Sequence, residues 1–139
     1  MDYKKLGSKY ILRIDRGEEL IAFVTTFCKE QSIKVGTIMG LGAADRVTVG
    51  LFNVSEKQYY KQEFNGDFEI TNLTGNISTK DGEVYIHAHI TITDVKYNAY
   101  GGHLNECWIS GTGELVIDVI EGTVERKFNE EVGLNLYEF

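Results

Sequence analysis

The clearest pattern along the chain is a strict alternation at residues 83–93, where Val84, Ile86, Ala88, Ile90 and Ile92 interleave with Glu83, Tyr85, His87, His89 and Thr91. Successive strand side chains point to opposite faces, so the segment predicts a strand with one apolar and one polar face. A looser alternation at 10–15 predicts an earlier strand. Between them, Leu20, Phe23, Val24, Phe27 and Cys28 recur at helical spacing and predict an amphipathic helix within 18–31. Glu18 and Glu19 fall in its expected first turn, where negative charge suits the helix dipole, and Asp15 is the expected cap. Cys28 lies on the apolar stripe and reads as a small buried hydrophobe.

Further strands are predicted at 34–39, 46–52, 58–64, 68–73, 114–120 and 123–128, punctuated by turn signals at Asn65-Gly66-Asp67 and Asp81-Gly82. One helix followed by many strands gives an α+β class with an antiparallel sheet rather than a βαβ repeat. The alternating tail at 134–139 supports two readings: a further strand of the fold, or apolar surface covered by another copy of the chain. The run Gly40-Leu41-Gly42-Ala43-Ala44 lacks a third dinucleotide-type glycine and the Gly-Lys-Ser/Thr of a phosphate loop. Tight packing or a strand bend explains it better.

With 139 residues, 42% hydrophobic and 25% charged, the chain has the make-up of one folded domain spanning 1–139, without linker or repeat. A net charge of −7 and a basic run no longer than Arg126-Lys127 oppose unaided DNA binding, because phosphate contacts need a basic footprint. No segment approaches the roughly 20 apolar residues of a membrane helix, and the first residues are polar rather than signal-like. Cys28 and Cys107 form no CxxC pair, so a cytoplasmic protein with reduced thiols and no membrane association is expected.

The chemistry concentrates in the three histidines that the chain contains. His87 and His89 share a strand face about 6.5–7 Å apart, which lets two imidazoles converge on one ion. His103 follows Gly101-Gly102 fourteen positions after His89, far enough for the chain to turn and return beside the first strand. The glycines would let the backbone pass close to the site. Three neutral imidazoles on zinc leave a fourth position open to water, a substrate or a partner's side chain, although imidazole also suits copper, nickel and iron. The bland reading is two solvated histidines on a polar strand face. Glu106 and Glu83 are candidates for proton transfer beside such a site. Cys107 is a candidate fourth ligand if 103, 105 and 107 share a face, though a free or core thiol is the favoured reading.

The chain resembles the plants-and-prokaryotes-conserved (PPC) domain in its short prokaryotic form. The resemblance is carried, in family order, by Gly40-Leu41-Gly42-Ala43, by Gly66-Asp67-Phe68-Glu69-Ile70-Thr71-Asn72-Leu73-Thr74-Gly75, by His87-Ala88-His89 and by Gly101-Gly102-His103-Leu104. It implies a strongly bent antiparallel sheet against few helices, a homotrimer, and a metal, usually taken as zinc, at His87, His89 and His103. In plants the domain follows an AT-hook that enters the DNA minor groove; this sequence, without proline, holds no Arg-Gly-Arg-Pro-like hook. Three functional expectations result. The first is a zinc-binding homotrimeric domain with a small ligand at the metal. The second is a zinc-dependent enzyme acting on a small molecule, with Glu106 or Glu83 carrying protons. The third is a DNA-associated regulatory protein.

Overall fold

The computed structural model describes residues 2–139. The chain opens with the hairpin β1 (Asp2–Leu6) and β2 (Lys9–Asp15), then the helix α1 (Leu20–Glu30). Three long strands dominate the remainder: β3 (Gly36–Asn53), β4 (Gln58–Lys80) and β6 (Ala99–Val119), with β5 (Glu83–Thr93) between the last two. A hairpin of β7 (Glu125–Asn129) and β8 (Leu134–Glu138) ends the chain. The sheet runs β1-β2-β6-β3-β4-β7-β8, and β5 pairs with both β4 and β6. Because β3 also pairs with both β4 and β6, these four strands form a closed circuit.

Strands of 18, 23 and 21 residues would measure roughly 60–75 Å if straight, well beyond the width of a domain this size, so they must bend. The bends sit at irregularities in the β3 ladders at Gly40/Gly42, Ala44/Arg46 and Thr48/Val49, and between β4 and β5 at Ile70/Asn72. Gly42 shows why the small-residue run is there. It has φ of +155°, and a Cβ on it would lie 2.2 Å from the Thr112 carbonyl oxygen. The run is thus a packed strand bend, and the two strands expected at 34–39 and 46–52 are one. Likewise 58–64 and 68–73 merge into β4, because Asn65 pairs with Arg46 and Phe68 with Ala44 on either side of the Gly66-Asp67 turn signal.

The expected α+β class is corrected in its balance: the chain is mostly strand, with one helix of 11 residues. The apolar stripe is as expected, with Leu20, Phe23, Val24, Phe27 and Cys28 all buried. The cap is not. Glu19, rather than Asp15, caps α1 by accepting from the Ile21 and Ala22 amides at 3.1 and 2.7 Å, and neither Glu18 nor Glu19 lies in the first turn. The longer side chain reaches back over the helix end, while Glu18 instead accepts from the Asp15 amide. The core gathers Leu12 and Ile14 of β2, Phe27 of α1, Val47 of β3, Ile77 of β4, Ile92 of β5 and Ile117 of β6. With the apolar side of β5 turned to this core, its histidine side faces outward. The tail forms β8, paired antiparallel to β7. No helix among the described residues is long and apolar enough to cross a membrane.

Candidate metal centre

Strand β5 has the bounds that its alternation predicted, Glu83–Thr93, with Ala88, Ile90 and Ile92 buried behind His87 and His89. The third histidine arrives by register, since His103 of β6 is the direct cross-strand partner of His89. Residues opposite one another in an antiparallel pair share a face, so all three imidazoles stand on one surface. Gly101 and Gly102 allow the approach. A Cβ on Gly101 would lie 2.5 Å from the Ile90 carbonyl oxygen, and one on Gly102 would lie 2.8 Å from that of Gly50.

One ring nitrogen from each of the three histidines lies within 4.8 Å of the other two, and no carboxylate or thiolate joins them at that spacing among the described residues. Ring centroids are 5.2, 5.2 and 5.6 Å apart. The Nε2 atoms of His87 and His89 are separated by 3.3 Å. That distance suits an N–H···N hydrogen bond between neutral rings. It equally suits two ligands of one tetrahedral ion, whose nitrogens stand about 3.3–3.4 Å apart for bonds of about 2.0–2.1 Å. Burial, with the neighbouring His103, Arg126 and His89, lowers the His87 pKa to about 4, and burial with His89 lowers that of His103. Both rings are therefore neutral near pH 7, the form that offers a lone pair to a metal.

The other candidates lie apart from this cluster. Glu83 is exposed and paired with Lys29 at 2.9 Å, four residues or about 13 Å of strand before His87. Glu106 is exposed opposite Thr48 of β3. Cys107 does not share the His103 face. The ladder shifts between Thr48 and Val49, which pair with Glu106 and Leu104, leaving Asn105 as an extra residue. Alternation breaks at this bulge and turns Cys107 into the core beside Leu104, where it is 0% exposed and its thiol is pushed up to about 12 by burial.

Two neighbours carry no local sequence signal. Tyr59 meets the His103 ring edge-on at 6.0 Å and donates from Oη to Asn105 Oδ1 at 2.7 Å. Arg126 of β7 is buried between the rings of Tyr85 and Tyr137 and donates to Asn76, the cross-strand partner of His87. Tyr59 reaches the site through the antiparallel β3–β4 pairing and Arg126 through the parallel contact of β7 with β4, so only the register reveals them.

Comparison with known proteins places the fold. Residues 1–121 match the Plants and Prokaryotes Conserved (PCC) domain. A Bacteroides thetaiotaomicron structure named as a "putative DNA binding protein" is 40% identical, with a TM-score of 0.97 over 99% of this chain and 96% of that one. A Pyrococcus horikoshii plant- and prokaryote-conserved (PPC) protein is 32% identical, with a TM-score of 0.88 over 99% and 95%. The "metal-containing protein" of Archaeoglobus fulgidus is 29% identical, with a TM-score of 0.87 over 100% and 99%. A bifunctional protein GlmU of Synechococcus is 26% identical over 110 residues, which is 78% of this chain but only 16% of that protein. The chain belongs to the Plants and Prokaryotes Conserved domain family.

Proposed function

We propose that this chain is a metal-centred domain that holds one zinc ion on His87, His89 and His103 and offers it to a small ligand. The observation that carries this reading is the convergence of three imidazole nitrogens within 4.8 Å on one strand face. The Archaeoglobus fulgidus relative's description as metal-containing supports it. Zinc on three neutral imidazoles keeps a fourth position free and supplies a Lewis acid there. The chain's own residues set the frame. The β5–β6 register fixes His89 against His103, Arg126 keeps a positive charge beside His87, and Tyr59 abuts the His103 ring. Neither Glu83 nor Glu106 is given a proton-carrying role in this reading. Residues 1–139 act as one cytoplasmic domain that assembles as a homotrimer, whose copies cover exposed apolar side chains such as Met39 and Leu41 of β3.

Cobalt(II) substitution tests the reading. Metal-free protein given one equivalent develops the intense visible bands of a tetrahedral site, and His103→Ala loses them. A wild-type spectrum matching that of hexaaquo cobalt contradicts the site. A second reading, association with DNA, is favoured by the description of the Bacteroides relative. The net charge of −7 opposes it, and a gel shift at low salt decides it.

A further inference from the structure

A second constellation lies away from the histidines, where the Ala44/Arg46 irregularity of β3 meets β6 and the turn that leads into α1. Arg46 and Trp108 are cross-strand partners, and the guanidinium carbon stands 4.5 Å from the centre of the indole ring. They help line an open surface cleft of about 450 Å³ together with Arg16, Gly17, Asp45 and Asn65. Arg46 is four residues, about 13 Å of strand, from Gly50, the partner of His103.

The electrostatics of this cleft are unusual for so acidic a chain. The ion pairs among the described residues use Arg13, Lys9, Lys29, Lys80 and Lys127, and none involves Arg16 or Arg46. Asp45, in the same wall, is likewise in none of them. Arg46 Nε and Trp108 Nε1 are both shut off from solvent without an acceptor. An anion in the open cleft does not reach these two atoms; what it meets is the terminal edge of the guanidinium. Stacking on the indole holds the guanidinium plane, so its outer edge is a fork fixed before anything binds. A planar fork with free N–H groups matches two oxygens of a carboxylate or phosphate. The irregularity contributes by breaking the alternation at Asp45, which brings Arg46 onto the face that carries Trp108.

We propose that this cleft is a binding site for a small oxyanion, a carboxylate or phosphate group, received by the Arg46 fork on its Trp108 platform with Arg16 as second cation. The site is independent of the metal reading. Asp45 in the same wall offsets one of the two positive charges, which favours a small oxyanion over a densely charged polyanion.

The chain has a single tryptophan, so its emission reports on this cleft alone. Full-length protein is titrated at constant ionic strength with inorganic phosphate and, separately, with succinate. A saturable change in emission is expected with at least one of them, and the better anion distinguishes phosphate from carboxylate chemistry. Arg46→Gln abolishes the response. Arg46→Lys, a point charge without the fork, and Arg16→Gln each weaken binding by about tenfold. Arg16 lies exposed in a turn, so that variant carries the test should Arg46→Gln fail to fold. His103→Ala leaves the response intact, which separates this site from the metal centre. The proposal is overturned if neither anion gives saturation, if chloride at matched ionic strength does the same, or if both arginine variants respond like wild type. It is also overturned if Arg46→Gln changes only the oligomeric mass, which would assign the cation to an interface between copies.

Discussion

His87 is held neutral by burial and by the positive charge nearby, with a pKa near 4 against an ordinary value of 6.5. In metal-free protein the unfolded chain therefore binds the extra proton more readily than the folded one between about pH 6.5 and 4. The ring's contribution to stability is present above that window and is lost as pH falls through it. Thermal melts of metal-free protein should show Tm falling over this range more steeply in wild type than in His87→Asn. Equal slopes would remove His87 as the cause. Zinc affinity should fall over the same range, because protons compete for the ligand nitrogens. At this scale the sequence was informative about His87 and His89, since strand alternation alone puts them on one face. The conditional reading of Cys107 as a fourth ligand fails, and the favoured core thiol is what the fold shows. One extra residue at Asn105 reverses the face of the residues beyond it, and a bulge leaves no mark that alternation can register.

Between elements, the contacts that matter are those joining α1 and β5 to β6. The Glu19 carboxylate caps α1 and also accepts from the Cys107 amide at 2.9 Å, tying the helix start to the strand just beyond the bulge. Glu19→Ala should cost about 2 kcal/mol in a denaturant melt, the loss of a cap plus one strand amide left unpaired. A cost near zero would mean that water replaces the carboxylate. The β5–β6 pairing is the more sensitive element for metal. Gly101→Val forces a side chain against the Ile90 carbonyl and separates His103 from His89. Zinc affinity should drop by about 10–100-fold, the range seen when the shell that orients ligands is disturbed. The helix and β5 were legible because their apolar periodicity is strong. Alternation yields the long strands only as fragments, because turn-type residues such as Gly66 and Asp67 serve here as bends inside one continuous strand. β1, with Asp2, Lys4 and Lys5 among its five residues, has too little apolar pattern to betray a strand.

The whole molecule is an acidic sheet protein whose histidine face and apolar β3 side chains both look outward. Light scattering should return three times the chain mass of 15.7 kDa, and a clean monomer mass would contradict the assembly. DNA should show no retardation by this chain even at low salt. A shift that weakens steeply with added salt would show real phosphate contacts and revive the DNA reading. Composition conveyed the sign of the charge. It could not convey that two arginines gather at one cleft, because that grouping depends on the bend that carries Arg46 to Trp108.

The most direct test of the metal centre is elemental analysis of protein purified without a histidine tag and without added metal. Close to one equivalent of zinc per chain is expected, falling to background in His87→Ala and in His103→Ala with the folded structure retained by circular dichroism. Metal well below one equivalent in wild type, not restored by added zinc, would contradict a zinc site on these three histidines.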